Sequence, residues 1–156
     1  LNPVPFRSDF GELDAEAQRD LTALCQTVVW SRDVPVVDRA NFVLQRLPAE
    51  ELPYVLDDLI MDVDGEELLQ IEAIIEAHNL PVEEPRLDLY RHIALRWCHL
   101  GRSEEWLVDW AASLKAPEEQ AAVRRIFRHH FGREIFVNEA QQGVGGQPAT
   151  PPRVGD

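Results

Sequence analysis

The stretch that decides the fold class is residues 52–77, LPYVLDDLIMDVDGEELLQIEAIIEA. On both sides of Asp64-Gly65 its apolar residues recur every three or four positions, as in Leu52, Val55, Leu56, Leu59, Ile60, Leu68, Ile71, Ile74 and Ile75. This spacing is typical of the buried face of an amphipathic helix. Asp64 can cap a helix and Gly65 interrupts one, so the stretch predicts two helices joined by a tight turn.

The same periodicity continues in both directions, from Leu13 to about Phe136, and prolines or capping residues divide it. Helix starts are predicted at Asp14, Pro35, Pro48, Asp64, Pro85, Ser103 and Pro117. Pro53 either lies in the first turn of the third helix, where proline is tolerated, or delays its start. We therefore predict an all-α, single-domain bundle of six or seven short helices. A short stack of helical hairpins is the alternative, although no residue signature repeats at a fixed period.

Composition divides the chain into three parts. Residues 1–12 form an N-terminal extension, residues 13–138 an acidic helical domain, and residues 139–156 a flexible tail that is rich in glycine and proline and is expected to be disordered. The predicted core consists of Leu21, Leu24, Val28, Val43, Leu44, Leu56, Leu59, Ile71, Ile75, Ile93, Trp97, Trp110, Ile126 and Phe127. His130 falls on the apolar stripe of the last helix and is predicted to join this core.

Charge is distributed unevenly along the chain. Twelve carboxylates and no lysine or arginine lie between Arg46 and Arg86, and the net charge of the whole chain is −13. Residues 1–88 carry a net charge of −14, whereas residues 89–156 carry +1 and include a basic cluster at Arg124, Arg125, Arg128 and Arg133. A field of one sign attracts a partner of the opposite sign, which predicts a protein partner with a basic surface, or a basic patch on another copy.

Seven residues are the predicted partner-binding positions. The acidic ones share helix faces one turn apart, and they are Asp58, Asp62, Glu66, Glu72 and Glu76. Two aromatic residues, Trp30 and Phe42, stand off the main apolar stripes of their helices. We expect them to form one exposed patch with Arg39 and Arg46, because aromatic side chains beside arginine are typical interface anchors. Self-association through this patch is a second possibility.

No catalytic or metal-binding motif emerges from the sequence. Glu72 and Glu76 share a helix face that is expected to be solvated, and no Glu-x-x-His pair accompanies them, so a helical di-metal site is not predicted. Asp62 to Gly65 resembles part of a calcium-binding loop, but Ile60 occupies the first ligand position. His92, Cys98 and His99 lie on one helix, which cannot close a tetrahedral site. We predict no metal and no cofactor. If the protein is an enzyme, Glu72, Glu76 and His78 are its best candidate residues.

Several partners are excluded by composition. The acidic balance argues against direct binding of nucleic acid, which requires a basic surface. No apolar run approaches the length of a membrane span. Cys25 and Cys98 lie within apolar helical patterns, which predicts buried free thiols, a reducing compartment and hence a soluble, cytoplasmic protein.

Together these features predict a non-enzymatic protein–protein interaction module, acting as an adaptor, assembly subunit or inhibitor that engages a basic partner. One alternative is a mimic of nucleic acid that blocks a DNA- or RNA-binding protein. The other is a small helical hydrolase or metal-dependent enzyme.

Overall fold

The computed structural model describes residues 4–136, and within this range the chain is all-α, as the periodicity predicts. Its seven α-helices are α1 (Ala15–Val29), α2 (Val36–Arg46), α3 (Leu52–Ile60), α4 (Gly65–Ala77), α5 (Glu84–His99), α6 (Glu104–Ser113) and α7 (Pro117–Phe131). Two short 3₁₀ helices, Arg7–Glu12 and Ala49–Glu51, precede α1 and α3. The predicted disordered tail, 139–156, lies outside the described residues.

Local signals set most helix starts. The Asp14 carboxylate caps α1 by accepting a hydrogen bond from the backbone N–H of Ala17 at 2.8 Å. Asp64 and Glu67 form a reciprocal capping box at the start of α4, and Ser103 caps α6. Each cap provides an acceptor for a backbone N–H that has no partner within the helix, so these predicted boundaries are confirmed.

The third helix begins later than Pro48. Residues Ala49–Glu51 form a 3₁₀ turn, and the α-helix starts at Leu52 with Pro53 in its first turn. Both predicted outcomes for Pro53 are therefore observed: the α-helix starts later than Pro48, and Pro53 lies in its first turn. The missing N–H of proline costs nothing in a first turn, because that group would lack an intrahelical partner anyway.

Helix α5 is the centre of the bundle and packs against α3 and α7, while α2 packs against α1, α3 and α4. The Trp97 side chain of α5 is fully buried, and its ring lies 4.6 Å from that of Trp106 on α6, measured between centroids. Most of the predicted core is confirmed, with eleven of the fourteen residues buried in one cluster: Leu21, Val43, Leu44, Leu56, Leu59, Ile71, Ile75, Ile93, Trp97, Trp110 and Phe127.

Four core predictions, for Leu24, Val28, Ile126 and His130, are wrong or only partly right. Leu24 is 40% exposed, and Val29 rather than Val28 is fully buried at the end of α1. This helix buries every fourth residue, Leu21, Cys25 and Val29, because it packs on α2 and α3 along a narrow stripe. On α7, Ile126 is half-buried and His130 is exposed.

Helices α5 and α7 run parallel to each other. Near their starts, Arg86 Nε donates to Glu119 Oε2 at 2.5 Å, and near their ends the ring centroids of His99 and His130 lie 6.5 Å apart. Helix α6 connects them. As a result, the acidic first turns of α5 and α7 lie at one end of the pair, and their basic last turns lie at the other.

No helix in residues 4–136 combines the length and apolar character needed to cross a lipid bilayer.

Candidate functional site: an acidic surface around helix α3

One groove lies between the end of α1 and helix α3, and it contains three of the residues predicted to bind a partner. Trp30 is 62% exposed, and its indole N–H donates to Asp58 Oδ2 at 3.0 Å. Gln26 donates to the same oxygen at 2.8 Å, and Arg32 pairs with Asp62 at 3.0 Å. The α1–α3 groove, lined by Val29, Trp30, Arg32, Asp58, Met61 and Asp62, therefore presents an aromatic ring beside two exposed carboxylates.

The predicted patch around Trp30 and Phe42 is not formed as expected. Arg39 is almost fully buried, and its guanidinium donates to the backbone carbonyls of Val29 and Val34. Phe42 is half-buried with the Arg46 guanidinium 4.0 Å from its ring centroid. Arg39 thus anchors the turn between α1 and α2 instead of joining a surface, and the two aromatic rings have different neighbours.

Glu72 and Glu76 were expected on a solvated face, and this expectation is wrong. Both are half-buried and line a cleft of about 280 Å³ at the junction of α4, α5 and α6. Trp110 Nε1 donates to Glu72 Oε1 at 2.7 Å. Glu76 Oε2 accepts from Arg86 at 2.7 Å and from the Tyr90 hydroxyl. These contacts tie α4 to the C-terminal helices, so both acids have structural partners within the chain.

Glu72 is electrostatically unusual. Burial raises the pKa of its carboxyl to about 7, the charge of Glu76 adds to this rise, and the indoles of Trp110 and Trp97 oppose it. Glu72 Oε2 and Trp97 Nε1 are both buried, and neither has a partner that meets hydrogen-bond geometry. Removing the carboxyl group from water therefore costs free energy, and the hydrogen bond from Trp110 offsets this cost only in part.

His78 and Glu66 do not belong to that cleft. The His78 ring lies 3.2 Å from Asn41 Oδ1 on α2, measured from Nε2, so the predicted catalytic set of Glu72, Glu76 and His78 is not assembled. Glu66 is exposed in the first turn of α4, where a negative charge interacts favourably with the helix dipole.

A second groove, between α3 and α5, contains residues that the sequence analysis did not single out. It has a volume of about 510 Å³ and is lined by Glu50, Pro53, Tyr54, Asp57, Glu84, Pro85, Asp88 and His92. The Tyr54 side chain is 84% exposed, the largest exposure of any bulky apolar or aromatic residue in the described part of the chain. Its position opposite the buried stripe of α3 is a signal that sequence inspection could have used.

The carboxylates of this α3–α5 groove are only partly neutralised. His92 Nδ1 lies 3.3 Å from Asp57 Oδ1, and Arg91 pairs with Glu84 and, at 3.3 Å, with Asp88. Glu50 has no ion pair among residues 4–136. Carboxylates beside an exposed aromatic ring suit a lysine or arginine side chain, which gains both charge pairing and a cation–π contact.

The two grooves lie on neighbouring faces of α3, and together we call them the acidic surface. Asp57 faces the α3–α5 groove, and its neighbour Asp58 faces the α1–α3 groove. Each groove has one exposed aromatic residue, Tyr54 or Trp30. The surface is therefore continuous across α3, with acidic and aromatic side chains in both grooves.

Metal coordination finds no support in the described part of the chain, where no three histidine, cysteine, aspartate or glutamate side chains are grouped as metal ligands.

No protein-family model matches the sequence. No curated protein matches it either, and no solved structure matches the fold.

Proposed function

We propose that this chain is a non-enzymatic protein–protein interaction module whose acidic surface binds a basic segment of a protein partner. The observation that supports the proposal most directly is the α3–α5 groove, where four carboxylates surround the exposed ring of Tyr54. An isolated protein gains nothing in stability from a large aromatic side chain left in water. At interfaces, by contrast, such residues contribute much of the binding free energy.

Three residues of the original prediction remain in this proposal: Trp30, Asp58 and Asp62. Glu66 lies outside the two grooves, and Glu72 and Glu76 are removed because their contacts are internal. Phe42 is removed because Arg46 covers its ring. A cytoplasmic location remains a prediction, and the free, buried thiols of Cys25 and Cys98 are compatible with it.

A labelled poly-arginine peptide is a suitable first probe. We expect Tyr54→Ala to weaken binding about five- to tenfold, because one cation–π contact contributes roughly 1 kcal/mol. The double substitution Glu50→Gln with Glu84→Gln should weaken peptide binding further. It should also reduce the change in binding affinity with salt concentration. Fluorescence anisotropy at two salt concentrations measures both effects.

The matched control is Glu12→Gln with Asp20→Asn, which makes the same change in net charge at exposed positions outside the grooves. If the control weakens peptide binding as much as Glu50→Gln with Glu84→Gln does, only the net charge matters and the proposal is wrong. Affinity purification from the native cell, with wild type and Tyr54→Ala compared, then identifies the partner. Competition between the module and nucleic acid for that partner would indicate nucleic-acid mimicry.

The enzyme alternative has one observation in its favour. Glu72 lines a cleft, and its pKa of about 7 suits a general acid or base at neutral pH. A hydrolytic activity that disappears in Glu72→Gln but persists in Glu66→Gln would support this alternative over the interaction module. An activity that is equal in both variants does not originate in the cleft.

A further inference from the structure

The basic end of α7 carries a stripe of exposed side chains, Arg125, Arg128 and His129, which we call the basic stripe. They lie three and four positions apart and hence on one side of the helix. Arg128 pairs with Glu134 at 3.3 Å, whereas the side chains of Arg125 and His129 have no ion pair or hydrogen bond among residues 4–136. The chain as a whole has a net charge of −13, yet this exposed surface is cationic, and acidic residues of the same chain pair with only part of it.

The basic stripe makes no ion pair with the α3–α5 groove of its own chain among residues 4–136. Arg86 and Glu119 align the starts of the parallel helices α5 and α7. Arg128 is nine residues beyond Glu119, which places it about 14 Å further along the bundle. This separation exceeds the Debye length of about 8 Å at physiological salt for the Glu84 end of the groove, whereas the groove itself extends along α5 to His92. In addition, α3 and α7 each pack on α5.

We propose that the α3–α5 groove of one copy receives the basic stripe of a second copy, head to tail. This inference rests on the proposed function, because it identifies the basic partner as another copy of the same chain. The two surfaces are complementary in charge, and both are exposed. Since they are different surfaces, each added copy leaves one groove and one stripe free. Such a contact builds a closed ring or an open chain of copies.

Sedimentation velocity at physiological ionic strength tests the proposal. The fraction of wild-type protein in species larger than a monomer should increase with protein concentration. These species should dissociate at about 1 M salt, where the Debye length is about 3 Å. The stripe variant, Arg125→Gln with Arg128→Gln, should be at least tenfold weaker in self-association. Arg19→Gln, at an exposed position on α1, is its control and should behave as the wild type.

The groove variant, Glu50→Gln with Asp57→Asn and Glu84→Gln, gives the sharpest comparison. It lowers the net negative charge, so general repulsion between copies decreases and non-specific association would increase. The proposal requires the opposite result, weaker association. Mixing the stripe and groove variants should give a one-to-one dimer that does not grow, because the mixture has only one intact groove–stripe pair.

Three results would overturn the proposal: a wild type that is monomeric, a groove variant that associates as strongly as the wild type, or mixed variants that remain monomers. The poly-arginine assay, run on the same proteins, separates this inference from the proposed function. A monomeric wild type that still binds the peptide through the groove retains the function and excludes the second copy. If the monomeric wild type binds duplex DNA and the stripe variant does not, the stripe is a nucleic-acid site.

Discussion

Glu72→Gln should stabilise the protein at alkaline pH, although it removes a charge that accepts a hydrogen bond from Trp110 at 2.7 Å. The reason is the raised pKa of Glu72, which is about 7 in the folded chain against 4.5 for an unperturbed glutamate. Glutamine keeps a carbonyl oxygen for the Trp110 indole and carries no charge at any pH. The buried oxygen that lacks a partner, Oε2, is replaced by a neutral group.

The sign and size of the effect follow from proton linkage. Between pH 4.5 and 7 the folded state holds a proton on Glu72 that the unfolded state has released, so the free energy of unfolding falls as pH rises. Each unit of pKa difference corresponds to about 1.4 kcal/mol. The wild type should therefore lose about 2–3 kcal/mol from this group between pH 5 and pH 8, and the Glu72→Gln variant should lose none of that amount.

Urea unfolding at pH 5 and pH 8, followed by far-ultraviolet circular dichroism, measures the difference. Glu66→Gln on the same helix is the control, because Glu66 is exposed and its replacement should leave the pH dependence of the wild type unchanged. The reasoning is refuted if Glu72→Gln shows the same fall in stability as the wild type between the two pH values. It is also refuted if this substitution destabilises the protein equally at both.

Three further predictions concern buried and exposed groups elsewhere. Glu119→Gln should destabilise the fold by about 2–3 kcal/mol, because the buried Arg86 loses its closest counter-charge and keeps only Glu76. Glu118→Gln, at the exposed neighbouring position, should change stability by less than about 0.5 kcal/mol in the same urea assay. Trp30→Ala should cost less than about 1.5 kcal/mol of stability, since the ring is 62% exposed and has one hydrogen bond, and a larger loss would show that Trp30 is a structural residue. Burial raises the pKa of Cys25 and of Cys98 to about 11, so a disulfide reagent at pH 8 should modify both thiols only after unfolding, and rapid modification of the native protein would contradict this.

Helix boundaries were largely predictable because their causes are local. A cap acts over three or four residues, as Asp64 and Glu67 do at the start of α4, and proline restricts its own backbone. Periodicity likewise identified which face of a helix is apolar. It could not decide the edges of that face: Leu24 is exposed and Val29 is buried, because the stripe in use depends on where α2 and α3 contact α1.

The sequence by itself determined the helical class, most of the helix starts, most of the core and the excess of acidic residues on α3 and α4. Only the tertiary structure decided whether each charged side chain is exposed, buried or paired with another residue. Glu72 and Glu76 lie on the polar side of α4 by periodicity, yet Trp110 and Arg86 from later helices enclose them. The α3–α5 groove needs residues from two helices, and the separation of the acidic and basic ends needs α5 and α7 to be parallel. The physical reason is that the environment of a charge depends on residues distant in the chain, whose positions no local pattern encodes.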